Sequence, residues 1–595
     1  MTAKLSNYPS RRNKNILGLC IWHCQELRVK AGVLAQCCHS RLDRESRKKD
    51  LLDSRFHGND RDIPFHFYTL FFTLSCFFLF WVCFLCPSSA REIEINILHT
   101  ADLHGHLEPV AVAEANERAG QPASFARVTA GGLLRCATIM NGIRAQETNV
   151  VLIDCGDLFQ GSVESYLTRG EVMMKAVKHL RYDALVVGNH EFDWGVEQLR
   201  VLYLKTEIPV LTAGIAAPEN KTLPWSRPFL VRQIDGVKLV IIGLTNPLIP
   251  KWQRPRLLGD LQFPETLEAL RAALAQARKI KPDILILAVH QGWRQWGDDQ
   301  ANAINSIAKA FPDFDLIIGA HTHQAIEAQE VNRIVYTQAG YYGLWLGKVW
   351  CRFDSERHAL TKIETRLIVV GADVPPDTAL EGLVSDDLRS AKSYLRRKVG
   401  DSEREITSEA KNPGQSEVQT LIAAAISESV EAEVVFHGTL SSASLPRGAV
   451  RMADVWRIVP YENTIGKGRL TFAEVREILE ENSRYYGKDQ FRGVYGITYD
   501  LNPRAPSGER VSNLRLSNGR EIKNDERILF AVNSYDLASA GGRFPRLREI
   551  MERPEAALEE TNKDTREAVI EYIGAHSPLN IKTAPGARIV KNRSP

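Results

Sequence analysis

The sequence predicts an α/β protein: a layered α/β domain with helices outside its mixed sheets, joined by a helix to a second α/β domain. Three observations carry that expectation. Across residues 92–330, short apolar runs suited to strands alternate with stretches of helical periodicity, the pattern of a layered α/β domain. Five of those runs end in clusters of Asp, His and Asn, and in such folds ligands gather beyond the carboxyl ends of the strands. The chain has 595 residues, too many for a single hydrophobic core.

Lys plus Arg number 75 against 72 Asp plus Glu. So even a balance gives no reason to expect a nucleic-acid duplex or an acidic membrane surface as partner, and points to a small molecule. Of the ten cysteines, seven precede residue 90, leaving Cys136, Cys155 and Cys351. A widely spaced trio makes neither a disulfide framework nor a structural zinc site. The Cys83-Phe-Leu-Cys86 pair has redox-motif spacing but lies in an apolar stretch, without a βαβ context.

Residues 1–64 are basic, Cys-rich and weakly periodic, and read as a non-native or disordered extension that resembles translated genomic repeat sequence, which puts the true start codon later. Residues 65–90 follow as an export segment. Its apolar run, 65–86, leads into Pro87-Ser88-Ser89-Ala90, where small residues suit signal cleavage. The run is long enough to span a bilayer, so an uncleaved anchor is the second reading. Either way the folded part is expected in the periplasm or outside the cell, touching a membrane only through this segment.

From Glu92, Ile93, Ile95 and Ile97 alternate with polar residues into the first cluster, Asp102-x-His104. Val150-Val-Leu-Ile153 delivers Asp154-Cys-Gly-Asp157, with glycines that allow the backbone close to a ligand. Leu185-Val186-Val187 stops at Gly188 and is followed by Asn189, His190, Glu191 and Asp193. The strand at 239–244 ends in Thr245-Asn-Pro and is given no chemistry. After an amphipathic helix at 265–279, the strand at 284–289 runs into His290, and Asp315-Leu-Ile-Ile-Gly-Ala320 delivers His321-Thr-His323. Any one of these histidines is more often a core or loop residue than a ligand, but five clusters on one rim change the balance. Imidazole and carboxylate without thiolate suit Mn, Zn, Fe or Co rather than copper or an iron–sulfur cluster. The donors suffice for two divalent ions, an arrangement that serves in-line displacement at phosphorus.

In order and spacing, Asp102-x-His104, Gly156-Asp157-x-x-x-Gly161-Ser162, Gly188-Asn189-His190-Glu191, His290 and Gly319-Ala-His321-Thr-His323 resemble the calcineurin-like metallophosphoesterases. Gln160 and Phe192-Asp193 bring the likeness closer to the exported 5'-nucleotidase and 2',3'-cyclic-nucleotide phosphodiesterase family. The resemblance covers about 92–575. Between the domains, apolar residues at helical intervals over 377–398 read as a linker helix, at 371–400; the resemblance implies a metallophosphoesterase catalytic domain at 91–370, a nucleotidase-type substrate domain at 401–585 and a tail at 586–595. It also implies that Asp102, His104, Asp157 and His323 hold one metal ion, with Asp157 bridging to a second held by Asn189, His290 and His321. His190 would then stabilise the transition state or protonate the leaving oxygen while Asp193 orients its ring; Asn189 would also touch the substrate. Glu191 is equally readable as a structural acceptor.

In the second domain Val459-Pro-Tyr461-Glu-Asn463, the helix at 471–482, Gly493-Val-Tyr-Gly-Ile and Ala531-Val-Asn-Ser-Tyr535 before Gly541-Gly542 are similar to blocks of the exported nucleotidases. By that likeness Tyr461 and Tyr535 sandwich the base and Asn463 binds substrate. There are departures. The family's substrate arginine is missing from His437-Gly-Thr-Leu-Ser-Ser442 unless Arg447 or Arg451 reaches over, and Arg543 stands where an acidic residue often binds the ribose hydroxyls. The implied protein is a monomeric, dinuclear-metal 5'-nucleotidase, with cyclic-nucleotide, 3'-nucleotide and nucleotide-sugar hydrolysis as alternatives. A thiosulfohydrolase of the same superfamily is disfavoured by Gly188-Asn189-His190-Glu191. A binding protein that has lost catalysis is disfavoured by the complete ligand set.

Overall fold

The computed structural model describes residues 92–590 apart from 112–128, 221–222, 411–413, 522, 524 and 540–541. The expected extension, the export or anchor segment with Cys83 and Cys86, and Gly541 lie outside the described residues. Among the described residues, no helix is long and apolar enough to cross a membrane.

The alternation that marks strand β1 (Glu92–Thr100) has a direct structural use. Ile93, Ile95 and Ile97 point into a core shared by two facing sheets, while Leu98 turns to the helices outside. The first sheet has six strands in the order Ala359–Val369, Trp345–Asp354, β1, β2 (Val150–Asp154), β3 (Ala184–Val186) and Val210–Leu211. The second runs Ala325–Val331, Ile334–Ala339, β5 (Leu316–Gly319), β4 (Ile284–Val289), Val237–Leu244 and Phe229–Ile234. Strands β1, β2 and β3 are parallel, as are β4 and β5. Their carboxyl ends bring the five polar clusters together. β4 and β5 are buried throughout, so they read as continuous apolar runs.

The strands between residues 331 and 370 serve both sheets. Ile334–Ala339 pairs with β5 in the second sheet, whereas Trp345–Asp354 crosses to pair antiparallel with β1 in the first. One apolar period of two fits either sheet, so the sequence pattern alone does not choose between them.

The helix Thr378–Arg396 begins at Asp377, whose side chain accepts from the Leu380 N–H at 2.8 Å. Its buried face is Leu380, Val384, Leu388 and Ala391, the spacing of one helical stripe. The first three join the core of the first domain, and Ala391 packs with Val163 and Trp456, so this helix contacts both domains. The second domain is built on a five-stranded sheet in the order Gly493–Tyr495, Val434–His437, Ile528–Asn533, Thr464–Leu470 and Glu559–Asp564, with an apolar core on each face. Thr471 and Glu474 form a capping box at the start of the helix Phe472–Asn482.

Candidate active site

The loops after β1 and β2 are zipped together before any side chain is considered. Asp102 N–H donates to Gly156 O at 3.0 Å, and His104 N–H to Asp157 O at 2.8 Å. That path forces unusual backbone. Asp102, His104, Asp157, His321 and His323 have φ of 50°, 47°, 57°, 70° and 55°, a left-handed region that disfavours side-chain-bearing residues and that clusters at functional sites. Gly188 is required by close approach: a Cβ there would lie 2.3 Å from Asp157 Oδ1.

The structure gathers the predicted His and Asp residues into two groups, Asp102 with His104 and His323, and Asp157 with His290 and His321; within each, the ligand-type atoms lie within 4.8 Å of one another. Asp102, His104, Asp157, Asn189 and His290 are buried. Asp157 stands between the groups. Its Oδ1 accepts from the His190 N–H at 2.8 Å, while Oδ2 lies 3.2 Å from His290 Nε2 and 3.8 Å from His104 Nε2.

Hydrogen bonds to carbonyls decide which ring nitrogens are free to bind. His104 Nδ1 lies 2.9 Å from Gln160 O, and His290 Nδ1 lies 2.9 Å from Cys155 O. A carbonyl can only accept, so both rings carry their proton on Nδ1, and each Nε2 turns a lone pair inward. His104 Nε2 meets His323 Nε2 at 3.0 Å, and His290 Nε2 meets Asn189 Oδ1 at 3.1 Å. Lone pairs aimed at one another and at a carboxylate call for a cation between them, so this donor set fits divalent metal ions. Burial holds His104 well below the usual imidazole value and so keeps its ring neutral. At His290 burial also opposes a charged ring, yet the neighbouring Asp157 carries it up to about 9, so with no cation present a second proton sits on Nε2 facing Asp157, the place a metal ion would take. Burial and the charge on His290 push His321 down to about 3, leaving that ring neutral.

His190 follows Asn189 on a short 3₁₀ turn, and its Nδ1 lies 2.8 Å from Asp193 Oδ2. Its ring stands edge-on to His104, with centroids 5.2 Å apart. Burial opposes its charged form, but Asp193 and then Asp157 bring His190 up to about 10. Glu191 faces away from the cleft and accepts from the N–H groups of Gly188 at 2.7 Å, Leu158 at 2.7 Å and Asp157 at 3.1 Å. It thereby staples the turn after β3 to the loop after β2. Replacing it by Ala would strip three buried N–H groups of their acceptor. At about 1 to 3 kcal/mol for each, Glu191→Ala is expected to lose at least about 3 kcal/mol, measured by urea unfolding. An unchanged midpoint would contradict the staple.

Tyr461 and Tyr535, 38% and 37% exposed, line one cleft of about 1530 Å³ together with Asn463, Asn189, His190, Asp193 and Asp157. Neither Arg447 nor Arg451 lines it, and Arg451 instead donates to Arg396 O at 2.7 Å. The arginine that does reach this wall from beside the His437 strand is Arg492, held by Asp536 through contacts of 3.1 to 3.2 Å. Arg543 lies beside the slot, its Nη2 donating to Tyr535 Oη at 2.7 Å.

Sequence reasoning missed several partners. Trp252 stacks on His321 at 5.1 Å, and Gln253 donates to Asp193 Oδ1; both follow the strand to which no chemistry was given. That strand ends on the same rim as the others, which was the available signal. Tyr341 stacks on His323 at 5.1 Å, and Trp194 reaches Glu462 in the second domain. No periodicity announces either contact.

The chain matches the Calcineurin-like phosphoesterase family model over residues 95–325 and the model for the 5'-nucleotidase, C-terminal domain over 397–549. A 5'-nucleotidase of Vibrio vulnificus is 24% identical over 542 residues, covering 84% of this chain and 93% of that protein. Endonuclease YhcR of Bacillus subtilis is 22% identical over 499 residues, 81% of this chain but only 40% of its own length. A Staphylococcus aureus protein solved in complex with alpha-ketoglutarate superposes with a TM-score of 0.72 at 21% identity, over 84% of this chain and all of that one, which shows the fold. Fold, donor set and relatives define a metal-dependent phosphoric ester hydrolase. The chain belongs to the calcineurin-like phosphoesterases that carry a 5'-nucleotidase C-terminal domain.

Proposed function

We propose that the protein is a dinuclear-metal phosphoesterase that hydrolyses nucleotide phosphate esters, of the 5'-nucleotidase type, and that it works outside the cytoplasm, as the composition of residues 65–90 suggests. In this reading Asp102, His104, Asp157 and His323 hold one cation and Asn189, His290 and His321 the other, with Asp157 shared. The observation that carries the reading is the position of Asp157, one carboxylate oxygen directed at the Nε2 atoms of both groups. Two bound divalent cations would polarise the phosphoryl oxygens and supply an activated water for in-line attack on phosphorus.

The chain's own side chains do the rest. Asp193 fixes the His190 ring through Nδ1, which leaves Nε2 as the nitrogen available to the cleft. From there it donates to a phosphoryl oxygen or protonates the leaving alkoxide, and Gln253 holds the Asp193 carboxylate from the other side. Asn189 offers its amide to the same phosphoryl group. Tyr461 and Tyr535 take the base on their π-faces, a mode that tolerates different bases because each presents a flat ring. Arg543 holds the hydroxyl of Tyr535.

The test compares steady-state kinetics on 5'-nucleotides, 3'- and 2',3'-cyclic nucleotides, nucleotide sugars and p-nitrophenyl phosphate. 5'-Nucleotides are expected to be preferred, with kcat/KM varying only a few-fold among bases. Stacking contributes about 1 to 3 kcal/mol per base, so Tyr461→Ala and Tyr535→Ala should each lower nucleotide kcat/KM about 5- to 150-fold relative to p-nitrophenyl phosphate. Unaltered preference in both variants would remove the tyrosine slot from the account.

A further inference from the structure

The turn carrying His190 and Asp193 ends at Trp194, and this side chain leaves its own domain. Its indole Nε1–H donates to Glu462 Oε2, 268 residues further along the chain. Glu462 is the middle residue of Tyr461-Glu462-Asn463, and all three line the cleft. One hydrogen bond therefore joins the turn that bears His190 and Asp193 to the segment that bears Tyr461.

The surroundings of that bond are polar and only partly satisfied. Glu462 Oε1 is screened from solvent without a partner, and so are Nη1 and Nη2 of the buried Arg566. Arg566 Nε donates to Val459 O at 2.9 Å, just ahead of the same segment. Its guanidinium lies 3.5 Å from the centroid of Trp456 and 5.5 Å from that of Tyr166, a residue of the first domain. Burial pushes the Glu462 carboxyl up to about 7, with the Arg566 cation pulling the other way. Apolar side chains would pack such a seam without leaving polar atoms unpaired. What the polar joint adds is direction: an indole N–H has one donor axis, and it fixes where Glu462, and hence Tyr461, stands relative to the catalytic turn.

We propose that Glu462 is a positioning residue which, by accepting from Trp194, registers a nucleoside stacked on Tyr461 against the His190–Asp193 pair. The proposal rests on the cleft being a nucleotide site. It makes Glu462 matter only to substrates long enough to engage both segments at once. A small aryl phosphate is held by its phosphoryl group alone and does not use the joint. A nucleotide is held at both ends, so a shift of about 1 Å between them can cost on the order of 10²-fold in rate.

The experiment measures kcat and KM of the full chain for adenosine 5'-monophosphate and for p-nitrophenyl phosphate in Glu462→Ala, Glu462→Gln, Trp194→Phe and the Glu462→Ala/Trp194→Phe double variant. Glu462→Ala and Trp194→Phe are each expected to lower kcat/KM for the nucleotide about tenfold or more, and to leave p-nitrophenyl phosphate within about twofold, which also shows that they fold. The double variant should be no worse than the poorer single one, because both remove the same bond. Glu462→Gln should stay near the wild-type values, since its amide oxygen still accepts. Equal losses on both substrates, losses that multiply in the double variant, or no loss on the nucleotide would each overturn the proposal. A wild-type protein that cleaves p-nitrophenyl phosphate but no nucleotide would remove the nucleotide reading itself, and this inference with it; a wild type active on both, with unselective variants, would remove the inference alone.

Discussion

Asp157→Ala is expected to lower kcat by at least about 10³-fold, an effect of about 4 kcal/mol or more on the barrier. The size follows from where the carboxylate stands. Its Oδ2 faces His290 and His104, so its loss takes a carboxylate oxygen away from both groups at once. The same substitution strips the His190 N–H of the oxygen it reaches at 2.8 Å, which loosens the catalytic turn. Chemistry and positioning therefore fail together. The measurement is steady-state turnover of p-nitrophenyl phosphate with added manganese, and activity within tenfold of the wild type would contradict a shared carboxylate.

His190→Asn is expected to act differently. Removing a positioned general acid costs about 10² to 10⁴ in rate. If His190 protonates the leaving oxygen, the loss depends on how much that oxygen needs a proton. An alkoxide such as the 5'-oxygen of a ribose is a poor leaving group and should show the full effect, whereas p-nitrophenolate departs unaided and should show much less. Asp193→Asn should follow in the same direction with a smaller loss, because the ring then loses its orienting acceptor at 2.8 Å. Equal losses on both substrates would assign His190 to holding the phosphoryl group, and not to protonating the leaving oxygen.

How much of this was legible in the sequence follows from the range of each interaction. The strand ends were legible because an apolar run stopping at Gly188 or before Asp102 is a local signal, and so was the linker helix, whose apolar residues recur at helical intervals. The His190–Asp193 pair was legible for the same reason, since three residues on one turn set the contact. The two-sheet arrangement was less so, because Ile334–Ala339 and Trp345–Asp354 alternate alike but belong to different sheets. Left-handed backbone at Asp102, His104, Asp157, His321 and His323 left no trace in composition, since any turn-forming glycine would have been the ordinary choice there. Contacts such as Gln253 with Asp193 and Trp194 with Glu462 join residues 60 and 268 positions apart. No pattern of period two or 3.6 can encode those. The arginines show the same limit: Arg447 and Arg451 were the nearest candidates in sequence and neither lines the cleft, whereas folding brings Arg294, Arg492, Arg543 and Arg548 to it from distant positions.

A count of bound cations tests the shared carboxylate most directly. Purified protein dialysed against manganese and analysed for metal, with anomalous diffraction to place the ions, should give two per chain, about 3.5 to 4 Å apart with Asp157 between them, and Asp157→Ala should retain fewer. Full activity with one ion or none, or two ions too far apart to share that carboxylate, would contradict it.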